Sequence, residues 1–147
     1  MQSRNLRVYC DGGARGNPGP GAAAAIIEDL AGKTRFLCGK YLSWTTNNQA
    51  EYTAVKVGLE AIKEHFDNGI DVDFFLDSKL VASQLSGLYK VKDKNLTEIF
   101  FEIRKLEIWL GKVYYHHIRR EENKQADSLV NQVIDSQRDI FKQDTEL

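Results

Sequence analysis

Val72-Asp73-Phe74-Phe75-Leu76-Asp77-Ser78 is the stretch on which the fold turns. Residues 72–76 are mostly apolar, the pattern of a strand buried on both faces as one of a parallel pair, and the run stops at an acid, Asp77. Before it lies a long helical pattern, with Asn47 or Asn48 as the cap, an apolar stripe of Val55, Gly58, Leu59 and Ile62, and an end at Asn68-Gly69. Further upstream, Leu6-Arg7-Val8-Tyr9-Cys10 is another short strand that stops at an acid, Asp11, before the turn-rich residues 12–21. Residues 23–30 and 34–42 read as two strands around the hairpin signal Ala31-Gly32-Lys33. Downstream, residues 80–88 and 96–110 are helical, the second with Leu96, Ile99, Phe100, Ile103 and Leu106 on one face. A strand over 112–118 and a helix over about 123–136 follow, and the polar residues 138–147 are expected to fray.

The order is βββαβααβα. It predicts an α/β fold with a five-stranded mixed sheet, three antiparallel strands and then two parallel ones, and helices on both faces. The first and fourth strands lie side by side, so Asp11 and Asp77 meet at the carboxyl ends of parallel strands, where open α/β sheets place their working crevice.

Length and composition bound the function. The 147 residues suit a single domain, 1–147, with a core that needs no metal or disulfide staple. Lys and Arg number 20 against 21 Asp and Glu, a net charge of −1, so a polyanionic partner has to be met by local patterning and bound cations. The start of the chain carries no signal-peptide pattern, and the apolar run 22–27 is too short to span a bilayer, so the cytoplasm is expected and a membrane is not. Cys10 and Cys38, on the first and third strands, stand two strand spacings apart, about 10 Å, beyond disulfide reach, and are expected as buried thiols.

Each of four acids has a plain structural reading. Asp77 could cap the next helix, Glu51 stands at capping-box spacing from Asn48, Asp127 could be an exposed surface acid, and Asp11 could hold the turn after it. Phase argues for a cluster instead. Glu51 shares its stripe with Val55, Gly58 and Ile62 and so points to the sheet. Gly58, costing about 1 kcal/mol in mid-helix, marks close approach of helix and sheet. Asp127 is in line with Val130 and Ile134. Carboxylates about 5 Å apart repel by roughly 3 kcal/mol per pair at an effective dielectric of about 20, so a cluster of Asp11, Glu51, Asp77 and Asp127 calls for a divalent cation, read as Mg²⁺.

Four segments, 11–21 (Asp-Gly-Gly-Ala-Arg-Gly-Asn-Pro-Gly-Pro-Gly), 46–52 (Thr-Asn-Asn-Gln-Ala-Glu-Tyr), Asp77-Ser78, and 123–127 (Asn-Lys-Gln-Ala-Asp), together resemble type 1 ribonuclease H, in the family's order. The resemblance implies the ribonuclease H-like fold and endonucleolytic cleavage of the RNA strand of an RNA–DNA hybrid, leaving 5′-phosphate and 3′-hydroxyl ends. It also implies that Asp11, Glu51, Asp77 and Asp127 are catalytic and hold two Mg²⁺ ions, for which Mn²⁺ can substitute. Two such ions about 4 Å apart can clamp the attacking and leaving oxygens of an in-line displacement. By the same resemblance Asn17, Asn47, Asn48 and Gln49 serve the minor groove, Ser78 stands beside the scissile strand, and Thr46 contacts a DNA phosphate. Amides and hydroxyls suit a 2′-hydroxyl, the group that separates RNA from DNA, and a helix start suits phosphate.

Two departures mark a shorter branch of the family, known from archaea and some bacteria. Many relatives carry a histidine on a loop before the last helix; here Ile118-Arg119-Arg120-Glu121-Glu122 runs directly to Asn123, and His116 and His117 fall in the last strand as packing or surface residues. The basic protrusion of larger relatives is reduced to residues 87–95, where Lys90, Lys92 and Lys94 could touch phosphate or simply be solvated. Trp44 and Trp109 read as core or rim residues, and the chain as a monomer. The rival readings are a non-catalytic nucleic-acid-binding relative, which would have lost acids, and a nuclease of the same fold acting on DNA.

Overall fold

A computed structural model describes residues 5–144. β1 (Asn5–Ala14), β2 (Gly19–Asp29) and β3 (Thr34–Thr45) form an antiparallel meander, followed by α1 (Asn47–His65), β4 (Asp71–Leu76), α2 (Lys79–Leu85), α3 (Lys94–Glu107), β5 (Val113–His117), α4 (Lys124–Ser136) and β6 (Ile140–Asp144). The sheet order is β5-β4-β1-β2-β3-β6, with β1, β4 and β5 parallel. The sheet therefore has six strands where the sequence predicts five.

The extra strand lies in the stretch expected to be a polar tail. Gln137 ends α4 in the left-handed conformation (φ 54°), and Asp139 accepts a hydrogen bond from the Tyr41 N–H at 2.8 Å, which turns the chain back along β3. Ile140 then packs with the α4 side of the core, and Phe141 stacks on His65. β6 thus covers what would be an open β3 edge. The end of the expected tail, 145–147, lies outside the described residues.

α1 begins one residue earlier than a cap at Asn47 would set and two earlier than a cap at Asn48. Thr46 is the cap: its hydroxyl accepts from Gln49 N–H at 3.1 Å and the Gln49 side chain accepts from Thr46 N–H at 3.0 Å. The helix buries the expected stripe against β1, β2 and β4. Fully buried side chains such as Val8, Ile62 and Phe74 each contribute about 1.5–3 kcal/mol. Gly58 marks the closest approach, since a Cβ there would lie 3.1 Å from Val8, 3.3 Å from Ala25 and 3.4 Å from Phe74.

Alternation along β2 serves both faces. Ala23, Ala25 and Ile27 turn to α1, while Ala22, Ala24 and Ile26 turn to α4 and its Leu129, Val130 and Val133. Helices do lie on both faces, and α4 packs mainly over β1–β3. Beyond it the same face carries a stacked row of Tyr9, Phe75 and His116, and His116 Nε2 is 2.7 Å from Asp73. Cys10 and Cys38 are buried and unbridged, each paired across the intervening Ala25. Trp44 is 72% exposed and so is not a core residue, and Trp109 is half exposed beneath the Lys63 ammonium. No helix among the described residues is long and apolar enough to cross a membrane.

Candidate active site

The parallel pairing of β1 with β4 stops at Cys10 and Leu76, although β1 continues to Ala14 alongside β2. The next residues on the two strands are Asp11 and Asp77, so both acids stand where the sheet splits. Glu51 reaches the same point from α1 because residue 12 is glycine: a Cβ on Gly12 would fall 2.3 Å from the carbonyl carbon and oxygen of Ala50 and 2.6 Å from Glu51 N. Oxygens of Asp11, Glu51 and Asp77 lie within 4.8 Å of one another. Asp127, exposed in the first turn of α4, lines the same cleft of about 300 Å³ from its side wall and stands outside that group of three.

The capping readings of Asp77 and Glu51 fail on geometry, whereas Asp127 is exposed as its plain reading expects. Ser78, not Asp77, caps α2, its hydroxyl accepting from Val81 N–H at 3.2 Å. The capping box of α1 uses Gln49, which leaves Glu51 to the cleft. Burial raises the Asp11 carboxyl to about 8, the charges of Asp77, Asp127 and Glu51 push the same way, and only the Gly12 N–H that it accepts opposes them. Burial likewise raises Glu51 to about 7 against a hydrogen bond from Ser78 and the charge of Arg120, with Asp77 adding to the rise. Such a site favours protons or cations.

Two residues of this site escape a reading by periodicity. Asn123, 2% exposed, donates from Nδ2 to the Cys10 carbonyl at 2.8 Å and to Asp77 Oδ2 at 3.2 Å, tying β1, β4 and the start of α4 together. Its Oδ1 is buried with no protein partner. Arg120, on the single 3-10 turn Arg120–Glu122, lines the acid cleft and is the cation that acts on Glu51. Its signal in the sequence was the charged run 119–122 abutting Asn123.

Of the expected substrate-binding residues Asn47 lines the cleft, and Asn17, Thr46, Asn47 and Gln49 each have a structural task. The Asn17 Oδ1 accepts from Asn47 N–H at 3.0 Å and the Asn47 Oδ1 accepts from Ala14 N–H at 2.9 Å, riveting the β1–β2 hairpin to the start of α1. Because both donors are backbone amides, each carboxamide must turn its oxygen inward and its NH₂ outward. Thr46 and Gln49 spend their side-chain oxygens on the cap. Asn48 is exposed beside them.

A family model described as "Reverse transcriptase-like" matches residues 9–133. The chain is 34% identical over 131 residues to ribonuclease HI of Halobacterium salinarum, covering 88% of this chain and 64% of that protein. It is 33% identical over 131 residues to the bifunctional protein Rv2228c of Mycobacterium tuberculosis, covering 88% and 35%. The crystal structure of LC11-RNase H1 in complex with RNA/DNA hybrid superposes with a TM-score of 0.83 at 38% identity, over 90% of this chain and 98% of that one. The chain belongs to the type 1 ribonuclease H family. It spans less than two thirds of the Halobacterium protein and about a third of the mycobacterial one. In this chain Arg120 stands at the acid cleft, and the short loop 86–93 carries the exposed Lys90 and Lys92 with Lys94 just beyond.

Proposed function

We propose that this ribonuclease H chain is an endonuclease that hydrolyses the RNA strand of RNA–DNA hybrids with Mg²⁺ or Mn²⁺, leaving 5′-phosphate and 3′-hydroxyl ends, and that residues 1–147 act as one catalytic domain, a cytoplasmic monomer. The observation that carries the reading is the group of three carboxylates within 4.8 Å, Asp11 raised to about 8, in a cleft open to solvent. An all-oxygen donor set of this kind fits hard divalent cations. Asp11, Glu51, Asp77 and Asp127 would hold two such ions, which when bound activate water and neutralise charge on the leaving oxygen.

The protein's own residues do the rest. Asn123 fixes the Asp77 carboxylate, and Ser78 fixes Glu51. Arg120 presents a permanent cation to the phosphate that enters the cleft, and Asp127 faces it from α4. Asn17 and Asn47 offer NH₂ donors outward, and every base presents a minor-groove acceptor, so these contacts grip without reading sequence. Together with Asn48, Gln49 and the Thr46 start of α1 they serve the groove and the DNA phosphate, leaving the 2′-hydroxyl as the feature that selects the strand to be cut.

A panel of end-labelled hybrid, duplex RNA and duplex DNA, incubated with Mg²⁺ and with chelator, tests this. Internal metal-dependent cuts confined to the RNA of the hybrid are expected. Equal cutting of duplex DNA would move the protein to a DNA nuclease of the same fold, and binding without cutting would make it a non-catalytic relative.

A further inference from the structure

Arg15 has no part in the chemistry above, yet it lines the acid cleft from the β1–β2 hairpin. Its guanidinium is held by α4: one nitrogen is 2.6 Å from Asp135 Oδ1 and another 3.5 Å from Asn131 Oδ1. The backbone beneath is braced, with Arg15 N–H donating to the Pro20 carbonyl at 2.8 Å and no room at Gly19 for a Cβ, which would fall 2.2 Å from the Arg15 carbonyl oxygen. The ion pair itself is exposed, its side chains 51% and 67% accessible, so it is weak and its partner can be exchanged. Along α4, residues 131 and 135 follow Asp127 by one and two turns, about 6 and 12 Å. For a strand lying along α4, with a phosphate about every 3.4 Å of axis, those distances span about two to four phosphates from the one at the acids.

We propose that Arg15 binds a backbone phosphate of the cleaved strand flanking the scissile one, and that Asp135 is its internal competitor. Binding the hybrid exchanges an Arg15–Asp135 ion pair for an Arg15–phosphate pair, so Asp135 acts through Arg15 to set affinity. The inference rests on the hybrid-cleaving reading and deepens it.

Anisotropy of a labelled RNA–DNA hybrid, titrated across a range of NaCl with Ca²⁺ in place of Mg²⁺, reads the exchange. Arg15→Ala should weaken binding about fivefold and lower the salt slope by about one, while Arg15→Lys keeps the slope. Asp135→Asn should tighten binding about two- to fivefold, as expected from release of an exposed ion pair. The deciding measurement is Asp135→Asn placed in the Arg15→Ala protein, where it should have no effect, with the exposed Asp67→Asn as a control for net charge. Equal tightening in both backgrounds, or an Arg15→Ala protein with unchanged affinity and slope, would overturn the proposal and make the pair a brace between hairpin and α4. Wild-type protein that leaves hybrid uncut in Mg²⁺ would overturn the parent reading instead.

Discussion

Asp11→Asn should stabilise the metal-free protein while abolishing cleavage, and the gain should grow with pH. The folded Asp11 carboxyl sits at about 8 against an ordinary 3.8, because burial and the facing acids disfavour its charge. A raised carboxyl pKa means that the native state binds the proton more tightly than the unfolded chain does. Its contribution is therefore complete below about pH 4, falls as the unfolded chain ionises, and is lost once pH passes about 8. Glu51, raised to about 7, acts in the same direction. At about 1.4 kcal/mol for each tenfold change in proton affinity, the ceiling for Asp11 is about 6 kcal/mol. The cleft is open to water, and screening there leaves about 2–3 kcal/mol at pH 8. Asparagine keeps the acceptor that Gly12 N–H uses, so the substitution removes the charge and little else.

For a domain of this size 1 kcal/mol moves Tm by roughly 2–4 °C, so the metal-free variant should melt about 4–12 °C above wild type at pH 8, and the two should converge near pH 4. Mg²⁺ should then raise the wild type more than the variant, since a ligand that binds only the native state stabilises it by mass action. Thermal melts in chelator and in Mg²⁺ at pH 4, 6 and 8, beside a hybrid-cleavage assay, check each step. A variant that melts lower at every pH, ignores Mg²⁺ and still cuts would refute the reasoning and return Asp11 to a role in holding its turn.

Three further outcomes follow from particular contacts. Gly12→Ala should cost more than about 3 kcal/mol in a denaturant titration, because its Cβ would meet immovable backbone of Ala50; a variant within about 1 kcal/mol of wild type would show that α1 can slide. Arg120→Ala should leave Tm within about 2 °C, since the side chain is exposed, yet lower kcat/KM at least tenfold by removing the cation at the cleft; unchanged kinetics would return Arg120 to the solvated surface. Lys90, Lys92 and Lys94 changed together to Ala should weaken every hybrid sequence alike and flatten the salt dependence of binding, whereas an unaltered slope would assign them to solvent.

What the sequence shows and what it hides have one physical cause. The acids were legible because strand ends and helix phase fix where a backbone points its side chains: Asp11 and Asp77 terminate parallel strands, and Glu51 rides a stripe with Val55 and Ile62. Five strands were legible by alternation or apolar runs. β6 was not, since its two apolar residues follow no strand period and its pairing is with β3 and Phe36, about a hundred residues away in sequence. The cap of α1 was misplaced for a related reason. Thr45, Thr46, Asn47 and Asn48 are all competent caps, and the register is fixed by tertiary bonds from Asn47 to Ala14 and Asn17.

Arg120 and Asn123 belong to the same hidden class, and their position shows how the site is held together. Three acids converge against their mutual repulsion, so something outside the cluster must hold them. α1 is pressed backbone to backbone onto β1 at Gly12 and sits close on Val8, Ala25 and Phe74 at Gly58, and the buried apolar stripe beneath supplies many times the repulsion of one carboxylate pair. Asn123 then orients Asp77 from below, and Arg120 offsets part of the charge at Glu51. The two neutral or basic groups cannot be found by looking for acids, yet one of them holds the Asp77 carboxylate and the other offsets the charge that Glu51 brings to the cleft.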